Sequence, residues 1–137
     1  MSTKIKDSFS KIGLKDIESL QNELGFIFPK EYFDFLLKTN GGRPSRVMYK
    51  TKGGEFESHV NWFYGIASGA YDIKHQYLLL KGRMSDKEVP IGDDSYGNFI
   101  LLNIETSKVS FFDHETDEVW LVEDSFSSPR SVSHRAK

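Results

Sequence analysis

The stretch "VPIGDDSYGNFILLN", Val89 to Asn103, decides how the carboxy-terminal half of this chain folds. Two short apolar runs, Val89–Ile91 and Phe99–Leu102, flank a polar centre of Gly92, Asp93, Asp94, Ser95, Tyr96, Gly97 and Asn98. Asp and Asn side chains bond nearby backbone N–H groups, and glycine accepts the positive φ that tight turns need, so the centre is expected to be a turn between two strands. Similar apolar runs follow in "KVSFFDH" and "EVWLV", separated by "IETSK" and "DHETDE", connections of hairpin length. The half from Val89 onward therefore reads as an antiparallel meander. Val109 and Phe111 fall on one face of their strand and Phe112 on the other. Val119 and Leu121 likewise oppose Trp120 and Val122. A sheet with one wet face alternates apolar and polar residues. Apolar residues on both faces predict that helices cover one face and that the other is partly covered or binds something.

The amino-terminal half has a different period. Leu14, Ile17, Leu20 and Leu24 recur at steps of three, three and four, one face of a helix that Gly25 ends. Pro29 suits the first turn of a second helix, where its missing N–H has no partner to lose. Tyr32, Phe35, Leu36 and Thr39 carry the buried stripe, which Phe33 and Leu37 widen. Asn40, Gly41 and Gly42 can take the left-handed conformation that ends a helix. "RVMYKT" and "HVNWFYGIA" read as strands, and "GAYDIKHQYLLLKGR" as a third helix with Ile73, Tyr77 and Leu80 on one face. The expected class is α+β, an antiparallel sheet meander flanked by helices. Residues 1–126 are expected to form a single domain, and residues 127–137, with few apolar side chains, a disordered tail.

The chain has 137 residues, no cysteine and a formal charge of −2. Disulfides, thiolate metal sites and a cysteine nucleophile are excluded. No run approaches the apolar length of a signal peptide core or a membrane span. The expectation is a cytoplasmic protein with no affinity for membranes or nucleic acid. The charge is unevenly spread. Residues 86–124 hold eleven acids against Lys87 and Lys108, a net −9, which leaves +7 for the rest. Such a field steers a basic partner and repels nucleic acid.

Catalytic patterns fail on spacing. Counting from Asp93, a calcium loop needs glycine sixth and glutamate twelfth, but Asn98 and Ile104 stand there. Adjacent Asp93 and Asp94 diverge and cannot flank a glycosidic bond. His59, His75, His114 and His134 lack the spacing of helical zinc pairs. No Gly-x-Ser-x-Gly elbow or phosphate loop is present. The aromatic stretch Asn61–Gly65 has no Lys or Arg interleaved, which argues against stacking of single-stranded nucleic acid. Trp62 and Tyr64 share one face of their strand and could serve as interface anchors.

The order of these elements resembles the SUKH superfamily, which includes yeast cell-wall assembly regulators and many bacterial immunity proteins. "IESLQNELGFIFPKEYFDFLLKTNGG" is similar to its opening of helix, apolar-Pro step, aromatic helix and Asn-Gly-Gly. "FYGIASGAYDI" fits the approach to its third helix, and "VPIGDDSYGNFILLNI" with "KVSFFDHE" its strand, turn and strands. The resemblance covers Leu14 to Val122. It implies a helix-flanked antiparallel sheet with a concave surface, no enzymatic activity and no cofactor. It implies a bacterial immunity protein whose partner is a cognate toxin domain, basic and in many cases a nuclease. A non-catalytic intracellular scaffold is the alternative, and a hydrolase or small-molecule binder using the sheet's concavity a third reading. Candidate partner-binding residues are Asp93, Asp94, Tyr96, Trp62, Tyr64, Asp113 and Glu115. Structural turn residues are Pro29, Gly41, Gly42, Gly92 and Gly97. The expected state is a monomer or weak homodimer. The family's closing helix after the last strand is expected to be missing, because Ser125-Phe126 is followed by Ser-Ser-Pro-Arg.

Overall fold

The first helix forms where the apolar spacing places it. In the computed structural model, which describes residues 5–6, 8–44, 47–67 and 69–127, α1 runs from Leu14–Leu24 and α2 from Lys30–Thr39. The Asp16 carboxylate accepts the Gly13 N–H at 2.8 Å and closes the start of α1. Gly25 ends it at φ +83°. Pro29 stands one residue ahead of α2, at its N-cap, with φ −55° and ψ 146°. Its ring still fixes the entry into the helix without losing a hydrogen bond. Asn40 ends α2 in the left-handed conformation.

Short strands β1 (Ile5–Lys6) and β2 (Arg43–Pro44) pair antiparallel, as do β3 (Met48–Lys50) and β4 (Glu57–His59). The single strand expected over "HVNWFYGIA" is instead two elements in different sheets. β4 ends at His59, the chain bends at Asn61, and β5 (Trp62–Phe63) joins the main sheet. The Asn61 N–H donates to the Asp93 carbonyl at 2.7 Å, which captures the chain for the second sheet at the bend. A 3-10 turn (Gly69–Tyr71) leads into α3 (Ile73–Leu80), whose N-cap Asp72 accepts the N–H groups of Ala67 and His75.

The main sheet is the expected meander, β5–β6–β7–β8–β9, antiparallel throughout, with β6 at Glu88–Asp93, β7 at Phe99–Asn103, β8 at Val109–Phe112 and β9 at Val119–Glu123. Register sorts its faces. Ile100 opposes Phe111 and Leu102 opposes Val109, while Phe99 opposes Phe112 on the other side. The first face carries the main core with Ile17 and Leu20 of α1 and Tyr32 and Phe35 of α2. Phe126 packs there too, its ring 5.3 Å from Tyr32 and 5.7 Å from Phe35. The second face holds a smaller cluster of Leu80, Leu101 and Phe112, with Met84 and Phe99 against it. The predicted split between a helix-covered face and a partly covered one is thus observed: α1 and α2 lie on one face, and the end of α3 reaches the other.

Two glycines are required by close approach. A Cβ on Gly41 would stand 2.7 Å from the carbonyl oxygens of Phe63 and Tyr64, and one on Gly92 would stand 2.7 Å from that of Trp62. These contacts let β5 pass tightly over the end of α2 and pair with β6. Gly42 bridges to Phe63 through reciprocal backbone bonds. The expected tail at 127–137 falls, after Ser127, outside the described residues. From Asp124 to Ser127 the chain is not helical.

Candidate functional site: the acidic end of the sheet

Strand pairing sets where the polar turns fall. β6 ends and β7 begins at one end of the sheet, and β8 ends and β9 begins at that same end. The turns at 94–98 and 113–118 are therefore neighbours, although the sequence separates them by fourteen residues.

Asp94 organises the first turn. Its Oδ1 accepts the N–H groups of Tyr96 at 2.8 Å and Asn98 at 2.9 Å, and its Oδ2 accepts Asn98 Nδ2 at 3.1 Å and Ser58 Oγ at 3.3 Å. With 4% of its surface exposed, Asp94 is an internal turn residue and does not face outward. Asn98 links this turn to the next. Its Oδ1 accepts the His114 N–H at 3.1 Å and His114 Nδ1 at 2.7 Å. Because Asn98 Nδ2 donates to Asp94, the oxygen must be the acceptor, and the His114 Nδ1 carries the proton. The His114 ring lies over Gly97, about 3.5 Å from where a Cβ would stand, and Gly97 itself has φ +85°. On the far side Arg83 clamps the second turn. It donates to the His114 carbonyl at 2.9 Å and to both oxygens of Asp117, at 2.7 and 3.3 Å, with its guanidinium 5.5 Å from the Phe112 ring centre. Arg83 holds the Asp117 carboxyl below its ordinary range.

Asp93 turns the other way from Asp94. It sits between Trp62 and Phe99 in the register, and its Oδ2 accepts the Tyr64 hydroxyl at 2.9 Å. Its Oδ1 is buried without a hydrogen-bond partner. Burial pushes the Asp93 carboxyl up to about 6, with the Tyr64 and Asn61 side chains pulling the other way and Asp94 adding to the rise. Tyr64 is fully buried, and burial followed by the Asp93 charge raises its hydroxyl far above the ordinary tyrosine value. Trp62 is half-buried. Its ring stacks on Tyr71 at 4.4 Å and on Phe9 at 5.6 Å, and the Arg43 guanidinium stands 5.1 Å from its centre.

The expected residues thus separate into three groups. Tyr96, 73% exposed, and Glu115 face solvent, and Asp113 is half-buried with its Oδ1 accepting the Glu115 N–H at 2.9 Å. Asp93 and Trp62 are half-buried, and Asp94 and Tyr64 are internal. Among the described residues, ion pairs involve Lys30–Asp34, Lys52–Asp124, Lys74–Glu23, Arg83–Asp117 and Lys87–Glu105. Asp93, Asp113, Glu115 and Glu118 enter none of them, so the end of the sheet keeps its negative charge. Asn98, His114, Arg83 and Ser58 join the site without having been among the candidate partner-binding residues. Asn98 alone had a local signal, four residues beyond an aspartate in a turn. The other three meet the site only through the fold.

A separate apolar cavity of about 70 Å³ lies between the sheet and the β3–β4 hairpin, lined by residues including Val47, Val60, Ile91, Val109 and Phe126. It is several-fold smaller than a drug-sized ligand site. Among the described residues, no group of three His, Asp or Glu side chains is placed to hold a metal, and no helix is long and apolar enough to cross a membrane.

Comparison with curated proteins finds no match. The model of the SMI1 / KNR4 family (SUKH-1) matches residues 11–129, a span that takes in both opening helices, the whole main sheet and the acidic turns, and the chain belongs to that family.

Proposed function

We propose that this protein is a non-catalytic immunity protein that neutralises a basic toxin domain by binding it through the acidic end of its sheet. The family includes toxin immunity proteins. The observation that carries the reading is that Asp113, Glu115 and Glu118, which enter no ion pair among the described residues, lie in the turn beside the one that bears the exposed Tyr96, at one end of the sheet. Unneutralised acids speed and orient the encounter with a basic surface. An exposed tyrosine supplies anchoring area at low entropic cost. The toxin's positive substrate cleft, such as that of a nuclease, is the surface such charge fits, and binding there blocks the substrate without chemistry. The proposed setting is the bacterial cytoplasm.

Co-expression tests this. A toxin-like domain encoded beside the gene is expressed with and without the protein, growth is followed, and the pair is run on gel filtration. Rescue together with a stable complex supports the proposal. Toxicity that persists with folded protein present overturns it and moves the function to an intracellular scaffold. Replacing Glu115 and Glu118 together by Lys should weaken the complex at least tenfold and leave the unfolding midpoint nearly unchanged. Undiminished affinity would place the interface elsewhere.

A further inference from the structure

We infer that residues 124–127 form a strap, latched by Phe126, that opens by itself while the rest of the fold stays intact and uncovers an apolar recess between α2 and the sheet. The strap stands apart from the proposed binding surface. It is tied to the β7–β8 turn, at the opposite end of the sheet from the acidic turns.

One residue carries the attachment. Phe126 is 5% exposed, while Asp124, Ser125 and Ser127 around it are all exposed. The four residues belong to no helix or strand, so no ladder of hydrogen bonds supports them. The Phe126 N–H donates to the Ser107 carbonyl at 2.8 Å, with Ser107 Oγ a second acceptor at 3.3 Å. Its ring stands against Tyr32 and Phe35 of α2, at 5.3 and 5.7 Å between centres. The Lys52–Asp124 ion pair is open to water on both sides and adds little.

The seat beside the latch is not close-packed. Phe126 and Ser127 form part of the wall of the 70 Å³ apolar cavity, whose other walls include Val47, Val60, Ile100 and Val109. A water molecule occupies about 30 Å³, and protein interiors hold few voids larger than that. Side chains that border a void forgo the dispersion contacts of a filled site. The ring therefore gains less from packing than its burial alone would suggest. Segments with few buried contacts and an exposed flanking backbone open locally, below the free energy of global unfolding. The central strand β7 is the opposite case, with Leu101 and Leu102 fully buried. When the strap lifts, two walls of the cavity leave with it, and Val109 beneath becomes accessible.

Native-state hydrogen exchange on the full chain, repeated at urea concentrations below the unfolding transition, tests this. The Phe126 amide should exchange at least about a hundredfold faster than those of Leu101 and Leu102, at a rate nearly independent of urea, because a local opening exposes little surface. A second measurement uses the absence of cysteine from the chain. The thiol introduced by Val109→Cys should react with a thiol reagent through the same urea-insensitive opening, and that introduced by Leu101→Cys only through a strongly urea-dependent one. A Phe126 amide as slow and as urea-sensitive as those of β7 would overturn the inference. So would the same urea dependence for labelling of the two thiols. If either cysteine variant fails to fold, exchange on the unaltered chain decides by itself.

Discussion

Two polar, glycine-bearing stretches stand at the ends of regular elements, Asn40–Gly42 after α2 and Asp93–Asn98 after β6, and they are satisfied in different ways. At the first, every polar atom of the Asn40 side chain is engaged inside the protein. Its Nδ2 donates to the carbonyls of Ser10 at 2.7 Å and Ile66 at 3.1 Å, and its Oδ1 accepts the Ile66 N–H at 2.7 Å. Three chain segments are joined at a residue 2% exposed. At the second, Asp94 and Asn98 form a comparable network, but their neighbours Asp93 and Tyr96 are left under-satisfied or exposed. The first stretch holds the fold. The second is held by it and retains charge and surface for something else. Violations of polar satisfaction concentrate where a protein has work beyond folding.

Substitutions can break or sharpen that contrast. The largest effect is expected for Asn40→Ala, which unties three chain segments and leaves two carbonyls and an N–H without their partner. A loss of about 3 kcal/mol in urea unfolding is expected. A loss below about 1 kcal/mol would mean that the two stretches do not differ in kind. Asn98→Ala should cost about 1–2 kcal/mol and speed amide exchange in both turns, since one side chain joins them. Faster exchange confined to 94–98 would show that the turns are independent.

The helix-covered core also has misfits, the Tyr32 hydroxyl among them, buried without a partner in the structure. Tyr32→Phe should raise stability by about 1 kcal/mol, because it removes a desolvated group and keeps the ring. A drop of that size would reveal a partner for the hydroxyl.

The Asp93 effect depends on pH. The folded state holds this proton more tightly than a free aspartate with its usual value of 3.8, up to about 6. Folding therefore binds a proton in that window, and the unaltered protein loses stability as pH rises from about 4 to about 6. Asp93→Asn has no such titration. It should gain on the unaltered protein across the window, reaching about 1 kcal/mol by pH 7 once screening of this half-exposed group is allowed for. Parallel pH curves would remove Asp93 from the contrast. Tyr96→Ala should change stability by less than about 0.5 kcal/mol, yet weaken a toxin complex at least tenfold by calorimetry.

Local pattern carried much of the fold. The 3-4 spacing of Leu14 to Leu24, the apolar runs from Val89 to Val122 and the hairpin-length connections specify two helices and a meander, because period and turn chemistry are properties of neighbouring residues. The two-faced reading of Phe111 and Phe112 followed from the same period and matches the two clusters. The division of "HVNWFYGIA" between two sheets was not legible, because the bend at Asn61 is set by a bond to Asp93, thirty-two residues away.

For the site, composition and spacing located the acids and predicted a turn over 92–98, which the structure narrows to 94–98 because Gly92 and Asp93 pair with β5 and β7 inside β6, and they excluded phosphate loops, serine elbows and calcium loops by pattern alone. Only the tertiary structure decided that adjacent Asp93 and Asp94 have different environments. Asp93 closes β6, while Asp94 opens the turn, and their hydrogen-bond partners differ. One meets Ser58 and Asn98, and the other meets Tyr64 with one oxygen unanswered. A carboxylate's hydration and partners come from residues distant in the chain, and that information does not reside in any window of neighbours.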